Sequence, residues 1–258
     1  MKRLFEIELL KLRKNRAIMV IGFLYALISI FLVYKSTGVK TYIDTETLQF
    51  PMIWLTATYM LGFLVIFPAI ISIINTTSEF SYKTTRQHII DGMSRNEFIL
   101  SKLISIFIIS TVFTLYLILL CLILGFSKGN YNEFFGEQFS FVLGYFLYLF
   151  GILTFVQLIC FLLKKTGLSL GIFLLYYLCV EPILYWSLLD KFEIKKFLPL
   201  EVFDNLLFSP LKDNSETIDK LEIPNIVYHM EWKNALISIV YIILFIVITK
   251  TIFNKRDI

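Results

Sequence analysis

The chain has 258 residues, of which 57% are hydrophobic and only 17% are charged, and its formal net charge is +4. Its mean hydropathy is +0.76. Because about a quarter of the residues in soluble domains are charged, this composition excludes an ordinary soluble domain and predicts a membrane protein.

Six apolar stretches are long enough to cross a hydrocarbon core about 30 Å thick, which takes roughly 20 helical residues. Helix is the expected form in lipid because it keeps the backbone hydrogen bonds internal. The predicted spans are residues 17–34, 52–75, 103–125, 139–163, 168–189 and 234–253. Pro68 lies inside the second span and predicts a kink there. We therefore predict an all-α membrane protein in which residues 1–258 form a single transmembrane domain.

Residues 1–16 precede the first span and are rich in Lys and Arg. Four apolar residues recur on one side at helical spacing: Leu4, Phe5, Leu9 and Leu12. Glu8 interrupts that side. This imperfectly amphipathic pattern predicts a helix on the membrane surface. The apolar run that follows is too long for the core of a secretory signal, so we expect it to remain as the first span.

The connecting segments differ in charge, which predicts the side of the membrane on which each lies. One set holds 15 Lys and Arg against 6 Asp and Glu: residues 1–16, 76–102, 164–167 and the tail from Lys250. The other set holds 9 Lys and Arg against 13 Asp and Glu: residues 35–51, 127–138 and 190–233. The positive-inside rule places both termini in the cytoplasm of a multi-pass protein of the cell (inner) membrane, with residues 190–233 outside. We interpret the basic excess as a topology signal and expect no nucleic-acid binding.

The segment between the second and third spans is compact and polar. Thr76 and Glu79 match a capping box, in which the hydroxyl and the carboxylate each accept a hydrogen bond from a free backbone N–H. Gly92 is placed to end that helix, because Gly adopts the left-handed conformation at little cost. Ser94 and Glu97 match a second capping box that opens the third span. These signals predict a polar helix of about 15 residues, roughly 22 Å long, followed by a sharp turn.

Three side chains of that predicted helix fall on one face at spacings of four and three: Tyr82, Arg86 and Ile89. A cytoplasmic loop needs polar residues and helix caps in any case. Apolar side chains on a helix that has no lipid to cover them instead favour docking into a groove on another protein.

Several of these residues together resemble the segment between the second and third spans in permease subunits of type-2 ATP-binding-cassette (ABC) exporters. The residues that carry the resemblance are Glu79, Thr85, Arg86, Gly92, Ser94, Arg95 and Lys102. It implies that residues 76–102 hold a coupling helix that docks on an ATPase subunit. The amino-terminal helix and the tail with Lys255, Arg256 and Asp257 also resemble the family pattern. A second permease subunit, identical or paralogous, is implied as a further partner.

The sequence predicts no catalytic residue in this chain. It has no phosphate loop of the G-x-x-x-x-G-K-[ST] type to bind nucleotide. The G-x-S-x-G match at residues 167–171 opens a predicted span instead of the strand, turn and helix that a nucleophile elbow needs. Its three cysteines have no metal-site spacing: Cys121, Cys160 and Cys179. We expect a subunit without metal or cofactor of its own, with ATP and Mg bound by the partner ATPase.

The fifth span contains Glu181 and Pro182, which leave two alternatives open. The helix either continues through a proline kink or stops near Glu181 and forms a re-entrant piece near the outer face. The resemblance favours the second alternative, because such permeases carry short outer helices between their last two spans. An ionisable residue at membrane depth is a candidate for the substrate path. Glu181 is equally interpreted as a cap-like residue before a proline.

We therefore predict the permease subunit of an ABC transporter, and by resemblance an exporter. An ion-coupled secondary transporter is the alternative; it would need several ionisable residues at the midplane and two related halves. The chain offers one acid within a span and no evident repeat. The other alternative is a non-transporting membrane scaffold that recruits a cytoplasmic partner through residues 76–102.

Overall fold

Helices and the turns between them form all the structure described by the computed structural model, which covers residues 2–38, 50–82, 84–128, 138–185, 197–207 and 232–255. The α-helices are α1 (Lys2–Lys14), α2 (Arg16–Gly38), α3 (Phe50–Phe63), α4 (Ile66–Ser81), α5 (Thr84–Ile90), α6 (Arg95–Lys128), α7 (Gln138–Leu163), α8 (Thr166–Leu175), α9 (Glu181–Ile183), α10 (Pro199–Asp204) and α11 (Trp232–Lys255). A π-helical stretch, Tyr176–Val180, joins α8 to α9. The predicted all-α class is confirmed for these residues.

Within the described ranges, five helices are long and apolar enough to cross a membrane. They are Arg16–Lys35, Arg95–Leu124, Ser140–Leu163, Thr166–Ile183 and Trp232–Lys255. A sixth span results if the bent pair Thr56–Phe63 and Ile66–Ser81 is counted as one. The chain is therefore a multi-pass membrane protein.

The second predicted span is bent, because α3 and α4 meet at an angle of 47°. Pro68 accounts for the position of the bend: its ring clashes with the carbonyl four residues earlier, which belongs to Leu64, and it has no N–H to donate. At the break, the N–H of Leu64 donates to the Leu61 carbonyl at 3.1 Å, and the N–H of Val65 donates to the Gly62 carbonyl at 3.1 Å. The Leu64 carbonyl, which Pro68 cannot reach with an N–H, instead accepts from the N–H of Phe67 at 3.0 Å.

The central helix of the bundle is α7, which packs against α3, α4, α6, α8, α10 and α11. Its residues are apolar on every side, as expected of a helix surrounded by protein, and Tyr145, Leu149 and Ile152 are completely buried. The peripheral helices expose one apolar side each, with Phe31 of α2 and Val240 of α11 as examples. Those outer sides form the surface that faces lipid.

The segments predicted to be basic and cytoplasmic lie together at one end of the bundle. Four phenylalanines, one each from α4, α6, α7 and α11, pack there: Phe80, Phe98, Phe161 and Phe253. The rings of Phe98 and Phe253 stack with their centroids 5.3 Å apart. We call this end, with α1 and residues 82–94, the basic end.

The opposite end of the bundle is closed by the short helix α10. The Ser238 hydroxyl of α11 donates to the Val202 carbonyl at 3.2 Å, and the Tyr241 hydroxyl donates to the Phe197 carbonyl at 2.6 Å. On the α7 side, the Phe203 ring occupies the space that a Cβ atom at Gly151 would need. Gly151 therefore permits the close approach of α10 to α7.

Some predicted features lie outside the described residues. They are most of residues 190–233, the tail residues Arg256 and Asp257, and the side chains of Arg86 and Ile89.

We predict that Gly151→Ala destabilises the protein, because the new methyl group would displace the buried Phe203 ring. Overpacking of this kind costs about 1–3 kcal/mol, of which better helix propensity offsets less than about 1 kcal/mol. The measurement is the thermal unfolding midpoint of the purified chain. Gly22→Ala in α2 is the matched control, because no atom lies within 4 Å of a Cβ built there. Equal midpoints for the two variants would contradict the packing argument.

Candidate functional site at the basic end

The segment between the second and third spans is divided differently from the prediction. Helix α4 continues through Thr76 to Ser81, so Thr76 is not a helix cap and the single helix of about 15 residues is wrong. Inside α4, the Thr77 hydroxyl donates to the Ile73 carbonyl at 2.6 Å, which is compatible with a continuing helix. The chain then turns at Tyr82, and α5 begins at Thr84.

The second half of the segment agrees with the prediction. Gly92 has φ of +97°, and the N–H of Met93 donates to the His88 carbonyl at 3.0 Å, as in a helix end with a left-handed glycine. The predicted capping box is also present: the N–H of Ser94 donates to Glu97 Oε2 at 2.8 Å, and the N–H of Glu97 donates to Ser94 Oγ at 3.2 Å. The turn into α6 is therefore well defined.

Two large apolar side chains of this segment are strongly exposed: Tyr82 and Ile90, at 80% and 70%. Tyr82 precedes α5, so the predicted stripe of Tyr82, Arg86 and Ile89 on one continuous helix is wrong. Arg86 and Ile89 belong to α5 by their backbone. Tyr82 and Ile90 thus bracket α5 and leave apolar groups on the outside of the basic end.

A cluster of four charged side chains, three of them buried and one partly exposed, lies at this end of the bundle. We call it the ion cluster: Glu8, Lys11, Glu79 and Lys102. Lys102 Nζ donates to Glu79 Oε1 at 2.6 Å and to Glu8 Oε2 at 3.2 Å. Lys11 Nζ donates to Glu79 Oε1 at 2.7 Å and to Glu8 Oε1 at 2.9 Å. Two cations thus face two anions, and the cluster is neutral.

Glu8 is the centre of the ion cluster and is 1% exposed. The Ser101 hydroxyl donates to Glu8 Oε1 at 3.3 Å, and the Ser105 hydroxyl donates to Oε2. Burial by itself would raise the pKa of Glu8, but the positive charges of Lys102 and Lys11 and these donors outweigh it and hold the pKa at about 2. Burial likewise opposes the charge of Lys11, yet the carboxylates of Glu79 and Glu8 raise its pKa. Both groups stay charged at neutral pH.

The ion cluster joins three helices that are distant in sequence: α1 through Glu8, α4 through Glu79 and α6 through Lys102. Sequence reasoning treated Glu8 as an interruption of an apolar side of α1. In the structure Glu8 lies on the buried side of α1, whereas the side chains of Phe5 and Leu9 are 43% and 40% exposed. A detectable signal was present, because Lys102 and Glu8 are charges of opposite sign that each lie among apolar residues.

The structure separates the predicted contact residues into two groups. Glu79, Thr85 and Lys102 are buried inside the chain, so they are not available to touch another subunit, and that part of the prediction is corrected. Gly92 and Ser94 are exposed. The guanidinium of Arg95 donates to the Asn254 carbonyl at 2.7 Å, which ties the start of α6 to the end of α11.

Glu181 lies at the opposite end and does not belong to this site. The helix that begins at Thr166 passes through Glu181 and Pro182 without stopping, so the first of the two alternatives holds as far as Tyr185. Glu181 is 5% exposed, and its Oε1 accepts a hydrogen bond from the N–H of Glu201 at 2.7 Å. Its carboxylate therefore caps the start of α10 and not its own helix.

The comparison with protein families agrees with this architecture. Residues 4–180 match the family model described as ABC-2 family transporter protein. This match covers more than half of the chain and includes most of α1, the ion cluster and α5, so the chain belongs to the ABC-2 transporter family. It is a permease of the type-2 ABC transporter class, a class whose members are typically non-catalytic membrane subunits. A comparison with curated protein sequences gave no match.

We predict that Lys102→Met destabilises the protein by about 3–5 kcal/mol, because it leaves two buried carboxylates with one cation, Lys11, between them. Thermal unfolding of the purified chain measures the loss. The exposed Lys250→Met is the control and should change stability by less than about 0.5 kcal/mol. Adding Glu8→Gln to Lys102→Met should recover part of the loss, because it removes one unpaired carboxylate. If the double variant is no more stable than Lys102→Met, the charge argument fails.

A second prediction concerns acid. The pKa of Glu8 lies at about 2, below its ordinary value of 4.5, so the folded state favours the ionised carboxylate. Its contribution, about 3 kcal/mol for a shift of this size, is complete above about pH 5 and is lost as the pH falls toward 2. Unfolding midpoints between pH 7 and pH 3 should therefore fall less steeply in Glu8→Gln than in the wild type. Glu6→Gln, an exposed carboxylate of the same helix, should keep the wild-type slope; equal slopes in all three proteins would contradict the assignment.

Proposed function

We propose that the chain is the permease subunit of an ABC exporter, and that it couples ATP hydrolysis by a separate ATPase subunit to substrate movement across the cell (inner) membrane. ATP and Mg would be bound by that ATPase. Both termini would lie in the cytoplasm, and a second permease subunit would complete the pathway. One observation carries the coupling proposal: the exposed turn at Tyr82 and helix α5 connect α4 to α6, and the ion cluster fixes the adjoining ends of α4 and α6 to each other.

The proposed docking surface comprises Tyr82, α5 and the turn at Gly92. Tyr82 and Ile90 are largely exposed at an end where charged residues predict water instead of lipid. Large apolar groups in such a place fit the helix-in-groove mode of recognition. Gln87 and Asp91 are exposed and joined by a hydrogen bond of 3.1 Å, which adds a polar rim to the surface. This combination suits a groove on the ATPase.

The ion cluster supports a mechanical role for this surface. Movement of α5 would pull on α4 through the turn at Tyr82 and on α6 through the turn at Gly92. Because Lys102 links Glu79 of α4 to Glu8 of α1, the three helices would move as one body and not as a flexible loop. The bend between α3 and α4 offers a joint for such movement, as in rigid-body switches between two packed states.

Helix α1 would act as a surface helix and a secondary contact. Four of its apolar residues are exposed to an extent that suits the boundary of a lipid bilayer: Phe5, Ile7, Leu9 and Leu10. Arg13 and Lys14 are exposed as well and suit anionic lipid headgroups. Its opposite side is held by the ion cluster, so α1 would anchor the moving helices to the membrane surface.

We predict that the double variant Tyr82→Ala/Arg86→Glu loses both co-purification of the ATPase and stimulation of its activity in liposomes. The change removes an exposed ring and reverses a charge on the proposed docking surface, and interface residues of this kind carry about 2 kcal/mol or more each. Membrane insertion and thermal stability should stay as in the wild type, because neither residue lies in the ion cluster.

Tyr34→Ala/Lys35→Glu is the matched control. It also changes an exposed aromatic residue and a basic residue, but near the C-terminal end of α2, away from the proposed docking surface. It should keep full ATPase stimulation. Retained co-purification and stimulation in the Tyr82 and Arg86 variant would refute the coupling assignment. ATPase binding without stimulation or transport by the wild type would instead indicate a scaffold that recruits a partner.

A further inference from the structure

A cavity of about 190 Å³ lies at the end of the bundle opposite the ion cluster. Its wall is mainly aromatic and includes one carboxylate: Tyr59 and Phe63 of α3, Tyr148 of α7, Tyr177 of the π-helical stretch and Asp204 of α10. Gly62 and Leu207 are the other described residues of the lining. We call this group the aromatic cavity. It plays no part in the proposed contact with the ATPase.

The walls of the aromatic cavity are held in place by contacts with the backbone and with each other. The Tyr148 hydroxyl donates to the Gly62 carbonyl at 2.9 Å, and the hydroxyls of Tyr148 and Tyr177 interact through a hydrogen bond. The rings of Tyr59 and Phe63 pack edge to face with centroids 4.9 Å apart. The cavity is therefore pre-formed and does not depend on loose side chains.

Asp204 owes its position to the short helix α10. The start of that helix is capped by the buried Glu181 carboxylate through the N–H of Glu201, at 2.7 Å. Its middle is fixed by Phe203 against Gly151. Asp204 lies close enough to Tyr148 and Tyr177 for its charge to act on both phenols. The carboxyl group of Asp204 is thus fixed beside the rings of Tyr148 and Tyr177.

The chemistry of this lining selects for one class of ligand. Aromatic faces attract organic cations, most strongly where the site is shielded from water, and a carboxylate adds a full opposite charge. None of the described residues that line the cavity is Lys or Arg, so none of them offers a positive charge to an anion. One carboxylate with phenols also falls short of the six or more oxygen ligands that Ca²⁺ takes.

We propose that the aromatic cavity binds the ammonium head of an organic cation. Its volume equals that of about six waters at about 30 Å³ each and is below the roughly 300–1,000 Å³ of pockets for drug-sized ligands. It therefore fits a headgroup and not a whole amphipathic molecule. Phe63 at its edge is 56% exposed and would cover the apolar remainder of the ligand. The interpretation as a transport subsite rests on the proposed function, whereas binding itself does not.

The test is direct binding of choline to the full-length chain in phosphatidylglycerol nanodiscs, measured by saturation-transfer NMR titration. Choline carries a trimethylammonium group, and its neutral isostere has a tert-butyl group in that place. The isostere should bind at least about tenfold more weakly than choline, because it lacks the charge. Asp204→Asn should weaken choline binding about tenfold, and Tyr59→Leu about threefold or more.

Two matched controls separate the site from general damage. Glu201→Gln changes a carboxylate of the same short helix outside the lining, and Tyr34→Leu removes an exposed aromatic ring elsewhere. Both should bind choline within about twofold of the wild type, inside the scatter expected of surface changes. Thermal unfolding of every variant identifies any that fail to fold, and the two cavity variants test the proposal independently of each other.

The ammonium group could come from a soluble molecule or from a lipid headgroup, and a second lipid composition distinguishes the two. In phosphatidylcholine nanodiscs, a headgroup that enters the cavity would compete with choline in the wild type and not in Asp204→Asn. Unchanged choline affinity would indicate that the cation arrives from solution. Either result supports a site for ammonium groups.

Equal binding of choline and its isostere, or wild-type binding by folded Asp204→Asn and Tyr59→Leu, would overturn the proposal. Failure of the coupling assignment would appear elsewhere, as retained ATPase stimulation in the Tyr82 and Arg86 variant. That result would leave choline binding unchanged, so the two proposals fail separately.

Discussion

The ammonium group of Lys102, completely buried between helices, sets the constraint on which the basic end depends. A charge in a medium of low polarity is stable only when opposite charges and hydrogen-bond donors or acceptors surround it. Glu8 and Glu79 supply those charges, and they come from α1 and α4. Separating either helix from α6 would break a buried ion pair of Lys102, so the three helices hold a fixed relation at this end.

The sequence predicted those features that arise from local chemistry. The length of the apolar stretches predicted the helices that can span a membrane. The difference in charge between the connecting segments predicted that the basic ones share one side of the membrane, and the structure places them together at one end of the bundle. Gly92 and the pair of Ser94 and Glu97 were interpreted correctly, because a left-handed glycine and a capping box are completed within a few residues. Family membership followed from the order of such signals along the chain.

Features that depend on distant partners were the ones that sequence reasoning missed. Thr76 and Glu79 have the spacing of a capping box, but Glu79 instead pairs with Lys11 and Lys102, and α4 continues past both residues. Glu8 looked like a defect in an amphipathic pattern because, apart from Lys11, its partners lie more than 60 positions away. One alternative interpreted Glu181 as a cap-like residue of its own helix. Glu181 does cap a helix, but that helix is α10. A pattern within one segment shows which interactions a side chain can make, whereas the fold determines which partner that side chain contacts.

Both ends of the bundle are thus fixed by a buried carboxylate that accepts a hydrogen bond from another helix: Glu8 at the basic end and Glu181 at the other. Between them the packing is mainly apolar and centred on α7, where contacts are numerous but not directional. The bend that Pro68 imposes between α3 and α4 lies in this middle region, away from both carboxylates. In such an arrangement the polar contacts preserve each end as a unit, and relative movement of the ends is accommodated by apolar surfaces and one existing joint. Movement of α5 would then reach the aromatic cavity as a change in the angle between α3 and α4, since Tyr59 and Phe63 belong to α3.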